Sequence, residues 1–353
     1  MKPDGSQNFH VADPQAGKTL AAALRFWLSG LSWSKIRQKI ATRRVQINGN
    51  LCLDEERRLR AGDVVKLLEH SLAPPPDAAD ITIRYLDAHL VVVEKPAGMT
   101  TMRHWEERNW SVRRCQKQLT LLEMLPRVIA EAETRRQRPD KSRPSPTAPS
   151  RSRKDPNRAQ GRLPMVRAVH RLDRDTSGLM VFARTVPAER GLVQQFRRHT
   201  IRRSYLTVVH GHPAAQTIRS HLVRDRGDGR RGSTTLPNTG QLSVTHLRPL
   251  ERLGPYELLE CRLETGRTHQ IRIHLSEAGH FVCGDKVYCQ PLFEKPKPDR
   301  SGAPRLALHA REIGFLHPIS GEPLHFEMEL PDDLRDFISR LRKNRPQEGT
   351  ASE

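Results

Sequence analysis

His170-Arg171-Leu172-Asp173-Arg174-Asp175-Thr176-Ser177-Gly178 runs directly into Leu179-Met180-Val181-Phe182-Ala183. A segment dense in charge and hydroxyls meets an uninterrupted apolar run. A short apolar run bounded by turn residues reads as a buried strand, which makes the polar segment a loop at the edge of a sheet. Asp175, Thr176 and Ser177 are ordinary turn and capping residues. Asp173 differs, because it lies between Arg171 and Arg174 with the apolar strand just beyond. A carboxylate held near a guanidinium has a depressed pKa and stays ionised, and an ionised, desolvated carboxylate can act as a nucleophile.

Outward from this loop, residues 81–86 and 90–94 read as strands, the second ending in the turn Lys95-Pro96-Ala97-Gly98. Residues 205–209 and 257–263 alternate as further strands, and 306–310 and 324–330 as closing ones. Pro187 suits the first turn of a helix, with Leu192 and Phe196 on its apolar face. A second helix is expected from near Thr268, after a sharp turn at Gly266, with Ile271, Leu275 and Ala278 on one side. Its start offers free N–H groups to an anion, and Arg267 at the turn could pair with a carboxylate elsewhere. Tyr205 on its strand reads, taken alone, as core packing. Strands outnumber helices without alternating with them, which predicts an α+β domain with a mixed, mostly antiparallel sheet.

The first 17 residues are polar and expected to fray. From there Leu20, Ala23, Leu24, Trp27, Leu28 and Leu31 keep helical spacing. Ser32 or Ser34 can cap a second helix with Ile36 and Ile40 on its apolar face. Lys35, Arg37, Lys39, Arg43 and Arg44 form its basic face. Val45-Gln46-Ile47 then alternates ahead of Asn48-Gly49, a strong tight-turn signal, and a turn at residues 60–63 leads to a strand at 64–68. This helix-helix-hairpin pattern over residues 18–70 resembles the S4 RNA-binding domain. A solvated helix face is the plainer alternative for the basic residues. Pro74-Pro75-Pro76 marks 71–80 as a linker, leaving 81–342 as the main domain and 343–353 as a flexible tail.

The chain has 353 residues, with 60 Lys and Arg against 40 Asp and Glu, a net charge of +20. Such a surface attracts polyanions, with nucleic acid the default partner. Residues 135–162 hold ten Lys or Arg and two Asp among Pro and Ser, with hardly a large apolar residue. This stretch reads as a disordered basic insertion, either inert or attracted to phosphates. No apolar run approaches the roughly 18 residues of a membrane helix, and the polar N-terminus has no signal-peptide core. Five cysteines without a C-x-x-C pair make no disulfide framework. A cytoplasmic, membrane-free protein is expected.

Residues 170–178 are similar to the signature of the RluA-type pseudouridine synthases. Thr265-Gly266-Arg267-Thr268-His269-Gln270-Ile271-Arg272 resembles their second signature, and Val91-Val92-Val93-Glu94-Lys95-Pro96-Ala97-Gly98 the opening of their catalytic domain. Gly279-His280 with Gly284-Asp285 and Tyr288, then His309-Ala310, His317-Pro318 and Gly321-Glu322-Pro323, continue the match in order. Arg203 stands where lysine usually precedes the tyrosine by two, and Cys289 where glycine is usual.

The resemblance implies isomerisation of specific uridines, with the glycosidic bond moved from N1 to C5. Asp173 would be the catalytic carboxylate, Arg267 its partner, and Tyr205 a platform under the uracil that assists proton removal from C5. Arg171 would fill the gap left by the flipped base. Arg174, Lys95 and the basic residues of the second helix would contact RNA. The reaction changes no oxidation state, so no cofactor is expected. No metal is expected either, since His269 and His274 are five apart and no His-Glu-x-x-His pattern occurs. The partner would be large-subunit rRNA, with tRNA as the alternative target, and the enzyme a monomer. The rival class is a non-catalytic S4-type RNA-binding or ribosome-assembly protein, against which Asp173, Tyr205 and Arg267 argue.

Overall fold

In the computed structural model of the chain, residues 7–47, 50–71, 74, 76–103, 115, 119–137, 163–227, 230–289 and 297–344 are described. The N-terminal part consists of strand β1 (Gln7–His10), helices α1 (Leu20–Trp27) and α2 (Trp33–Ala41), and strands β2 (Val45–Ile47), β3 (Asn50–Leu51) and β4 (Val64–Leu67). The strands form one sheet in the order β1-β4-β2-β3. Both helices start where a hydroxyl accepts an orphan backbone N–H: Thr19 from Ala22, and Ser32, not Ser34, from Lys35. Leu20, Leu24, Ile36, Ile40, Val45 and Val65 build a core of their own.

The first 17 residues do not fray as a whole. β1 pairs antiparallel with β4, Phe9 stacks on Trp27 at 4.9 Å, and Val11 is buried. Residues 71–80 are likewise not all linker. Asp77 caps a 3-10 turn over Ala78–Asp80 through a capping box. Asn48-Gly49, the expected turn between the paired strands β2 and β3, lies outside the described residues.

The larger part contains β5 (Thr82–Leu86), β6 (Leu90–Lys95), α3 (Leu121–Gln137), β7 (Arg167–Ala168), β8 (Ser177–Ala183), α4 (Val186–Arg197) and β9 (Arg202–His210). After these come β10 (Gln216–Val223), β11 (Gly232–Thr234), β12 (Gln241–Leu253), β13 (Tyr256–Leu263), α5 (Gln270–Glu277), β14 (Leu308–Leu316), β15 (Pro323–Glu327) and α6 (Asp332–Lys343). The strands form one sheet ordered β11-β10-β12-β13-β9-β14-β8-β6-β5, with β15 on β14 and β7 on β8. Every pairing is antiparallel except β14 with β8, so the sheet is mixed and mostly antiparallel. Every residue of β8 is buried, which is why its run from Leu179 to Ala183 is continuously apolar rather than alternating.

The parallel pairing sets the loop before β8. Gly178 has φ +126°, and a Cβ there would stand 2.2 Å from the carbonyl oxygen of Ala310. Only glycine lets β14 come this close behind the 170–177 loop. The expected basic insertion needs one correction. α3 continues through Arg135, Arg136 and Gln137, where a helix already begun is extended at small cost per residue. Residues 138–162 lie outside the described residues. Among the described residues no helix is long and apolar enough to cross a membrane.

Candidate active site

The 170–177 loop opens on a cleft of about 530 Å³, lined also by Tyr205 from β9 and by residues 266–272 at the start of α5. The loop is pinned from behind, since Thr101 Oγ1 donates to the Leu172 carbonyl at 2.8 Å and accepts from the Leu172 N–H at 3.2 Å. Asp173 thereby projects into the cleft with 15 % of its side chain exposed.

The partner of Asp173 is Arg272, not Arg267. Arg272 Nη1 donates to Asp173 Oδ2 at 3.2 Å, while Nε and Nη2 grip the two oxygens of Asp285 at 2.7 and 2.9 Å. Asp285 is itself fixed by the N–H groups of Val287 and Tyr288. The Arg272 guanidinium also lies over the Tyr288 ring at 4.9 Å. Arg267 is exposed on the rim and points its Nε at the Leu242 carbonyl, 3.4 Å away. The reason is local. The helix begins at Gln270, two residues later than expected, because His269 takes the left-handed conformation at φ +60°. That turn leaves Arg267 outside the helix and on the rim, while Arg272, the third residue of the helix, faces inward.

The electrostatics follow from this arrangement. Burial alone raises the Asp173 pKa, but the neighbouring His269 and Arg272 charges and the Arg272 hydrogen bond outweigh it and hold the carboxyl below its ordinary value. Burial works against the charge on Arg272, yet Asp285 and Asp173 keep it protonated. His269 is pushed down, by burial first, so Arg272 supplies the lasting positive charge at neutral pH. Burial also pushes Tyr205 up. The phenol therefore stays protonated at neutral pH, which suits a stacking surface better than a base.

The remaining expected residues divide. Arg171 is exposed on the cleft wall. Arg174 is half-buried, with its Nε on the Gly98 carbonyl at 3.1 Å. Lys95 cannot contact RNA as expected. It is 0 % exposed, and its ammonium donates to the carbonyls of Pro96, Met99 and Arg174 at 2.9, 2.9 and 3.0 Å. It ties the 95–99 turn to the loop carrying Asp173, and burial lowers its pKa to about 7. In the N-terminal part Lys35 and Arg37 are exposed, with Arg37 in reach of Glu55 at 3.1 Å. Lys39 and Arg43 are half-buried. Arg44 is spent on the carbonyls of Leu68 and Glu69.

Among the described residues one group, His210, Cys283 and Asp299, brings ligand atoms within 4.8 Å of one another. The Asp299 carboxylate there already accepts hydrogen bonds from His210, Gly284 and Ser301, and its pKa is lowered accordingly. A lone structural carboxylate with these partners needs no ion.

Residues 89–277 match the family described as RNA pseudouridylate synthase. The chain is similar to ribosomal large subunit pseudouridine synthase D of Zymomonas mobilis, 44 % identical over 49 % of this chain and 55 % of that protein. It is also similar to ribosomal large subunit pseudouridine synthase D of Neisseria meningitidis, 34 % identical over 93 % of this chain and 79 % of that one. Among solved structures, human RNA pseudouridylate synthase domain containing 4 covers 74 % of this chain and 92 % of its own, at 21 % identity and a TM-score of 0.52. That likeness extends to the fold.

Proposed function

The chain belongs to the RNA pseudouridylate synthase family, and from that premise we propose that it isomerises uridines of large-subunit ribosomal RNA with Asp173 as the catalytic carboxylate. The reaction breaks the bond from ribose C1′ to uracil N1 and forms one to C5, with no change of oxidation state. A base inside a helix cannot be reached, so the uridine must leave its stack. The cleft then has three tasks, and its residues suit each. Asp173, ionised and nearly desolvated, meets the reacting nucleotide. Arg272 keeps it charged and aimed. Tyr205 offers a flat buried face for the uracil, and Arg171 on the wall can occupy the space the base vacates.

The observation that carries this reading is the carboxylate itself, almost buried yet held below its ordinary pKa at the floor of a nucleotide-sized cleft. A structural carboxylate would be closed over, whereas this one faces open space. The N-terminal helix pair and sheet support an S4-like RNA-binding role through Lys35 and Arg37. The large-subunit target rests on what the relatives are named for.

Pseudouridine mapping of total RNA from cells with and without the gene tests the proposal. Sites in large-subunit rRNA should vanish without it and return with the wild-type gene but not with Asp173→Asn. Vanished sites confined to transfer RNA would overturn the target, and restoration by Asp173→Asn would overturn the role of the carboxylate.

A further inference from the structure

His269 has an unusual place. It is the N-cap of α5, a position usually filled by Ser, Thr, Asp or Asn whose side chain accepts a backbone N–H. His269 makes no such capping bond, and its backbone sits at φ +60°, a region costly for a residue with a Cβ. The side chain is turned instead to the cleft. Its Nδ1 lies 2.8 Å from the Tyr288 hydroxyl, and its Nε2 lies 3.8 Å from Asp173 Oδ1.

These two distances fix the proton. If Nδ1 carried the hydrogen, the bare lone pair of Nε2 would face a carboxylate oxygen. If Tyr288 donates to Nδ1, the N–H falls on Nε2 and points toward the negative charge. The second arrangement is favoured electrostatically, and the hydrogen bond on one ring nitrogen is what sets the tautomer of the other. Burial lowers the pKa of the ring against the opposing pull of the Asp173 charge and keeps it neutral, so Nε2–H is a donor and Nδ1 is occupied.

A distance of 3.8 Å is too long for a hydrogen bond. An oxygen at hydrogen-bond distance from both would sit beside the line joining them, facing the cleft, where it can accept from Nε2–H and donate to Asp173 Oδ1. A carbonyl or phosphate oxygen can do only the first, whereas a hydroxyl does both. Resting on the reading of this cleft as a uridine site, we propose that His269, oriented by Tyr288, reads the ribose 2′-hydroxyl of the target uridine together with Asp173, and so makes the enzyme select ribose over deoxyribose. The 2′-hydroxyl is the group that distinguishes RNA from DNA at a single site.

The test uses the full-length enzyme and synthetic RNA fragments spanning a uridine it modifies, carrying ribose, 2′-deoxyribose or 2′-O-methylribose at that nucleotide only. Single-turnover rates and binding constants are measured for wild type, His269→Ala, His269→Gln and Tyr288→Phe. Wild type should fall about tenfold in rate or affinity on the deoxy substrate, the scale of one hydrogen bond to a charged group. His269→Ala should show that loss with ribose and little further loss with deoxyribose, so that the two changes are not additive. His269→Gln, which restores an N–H, should recover part of the discrimination, and Tyr288→Phe should weaken it.

Equal rates of wild type on ribose and deoxyribose would overturn the proposal, as would full discrimination retained in His269→Ala. If His269→Ala does not fold, His269→Gln and Tyr288→Phe carry the same comparison. A wild-type enzyme that forms no pseudouridine in any large-subunit fragment would count instead against the functional reading, and is seen before any variant is compared.

Discussion

Arg272 reaches Asp173 with only one of its amino groups, 3.2 Å from Oδ2, because Asp285 holds its other edge at two points. The guanidinium is anchored by one carboxylate and presented to the other. Asp173 can thus keep one oxygen open to the cleft while staying ionised.

This anchoring predicts an asymmetry among substitutions. Lysine offers a single charged point and cannot serve two carboxylates with a planar fork. Arg272→Lys should fold but isomerise uridine at least about tenfold more slowly in single turnover, with Asp173 titrating higher. Arg272→Leu leaves buried charge unpaired and should cost about 3–5 kcal/mol in urea unfolding. Wild-type turnover by Arg272→Lys would mean that Asp173 needs no guanidinium.

Lys95 gives a second prediction. Three carbonyls converge on its buried ammonium, and Lys95→Met removes that donor from Pro96 and Met99, while the Arg174 carbonyl keeps the Gly98 N–H. Unsatisfied buried groups cost roughly 1–3 kcal/mol, and the loop carrying Asp173 loses one of its ties to the 95–99 turn, keeping the two hydrogen bonds between Gly98 and Arg174. Activity should fall while RNA affinity, measured with the folded variant at low temperature, stays near that of wild type. A large drop in affinity without loss of stability would return Lys95 to the RNA surface.

How far the sequence carries can be judged from these two residues. The apolar run 179–183 is legible because burial on both faces leaves a compositional mark. The loop ahead of it is legible because its polar residues are bounded by apolar ones. Arg272 is not legible as the partner of Asp173, since the choice between Arg267 and Arg272 depends on a left-handed residue at 269 and on a helix buried along seven of its eight residues, which erases the amphipathic signal. Lys95 is hidden for a related reason, because its acceptors include a carbonyl 79 positions away. β1 looks frayed because the contacts that order it, its pairing with β4 and Phe9 on Trp27, join distant residues. β13, buried along its first six residues, is legible at 257–263, whereas β10 and β12 are not, as their many exposed positions dilute the signal.

A third prediction concerns pH. His274 and His309 are buried, and burial holds both down to about 4. Each is neutral in the fold while the unfolded chain titrates near the ordinary value of about 6.5. Their folded pKa values are depressed, so the unfolded state binds more protons between about pH 6.5 and 4. The associated stability is present above about 6.5 and lost as pH falls through the folded values. Each contributes up to about 1.4 kcal/mol per pH unit in that window. Urea unfolding at intervals from pH 7 to 4 should show this decline, and His309→Asn should flatten it by roughly one proton. An unchanged slope in that variant would show that His309 titrates alike in both states.

The last prediction addresses the N-terminal part. Residues 7–67 carry their own sheet and their own core, and they expose Lys35 and Arg37 on α2. A part that buries its own apolar residues does not need the larger sheet in order to fold, nor the larger sheet it. Removing residues 1–75 should leave circular dichroism and a cooperative unfolding transition for the remainder, with weaker RNA binding. Every phosphate that is no longer neutralised lowers the slope of log affinity against log salt by roughly 0.7–0.9. Reversing two charges with Lys35→Glu and Arg37→Glu should therefore reduce the slope by about 1–2 in the full-length protein. These substitutions leave Arg44 in place, which binds backbone carbonyls, so the comparison separates RNA binding from folding. An unchanged salt slope in the folded double variant would make this helix face a solvated surface, and an unfolded remainder after truncation would show that the two parts depend on each other.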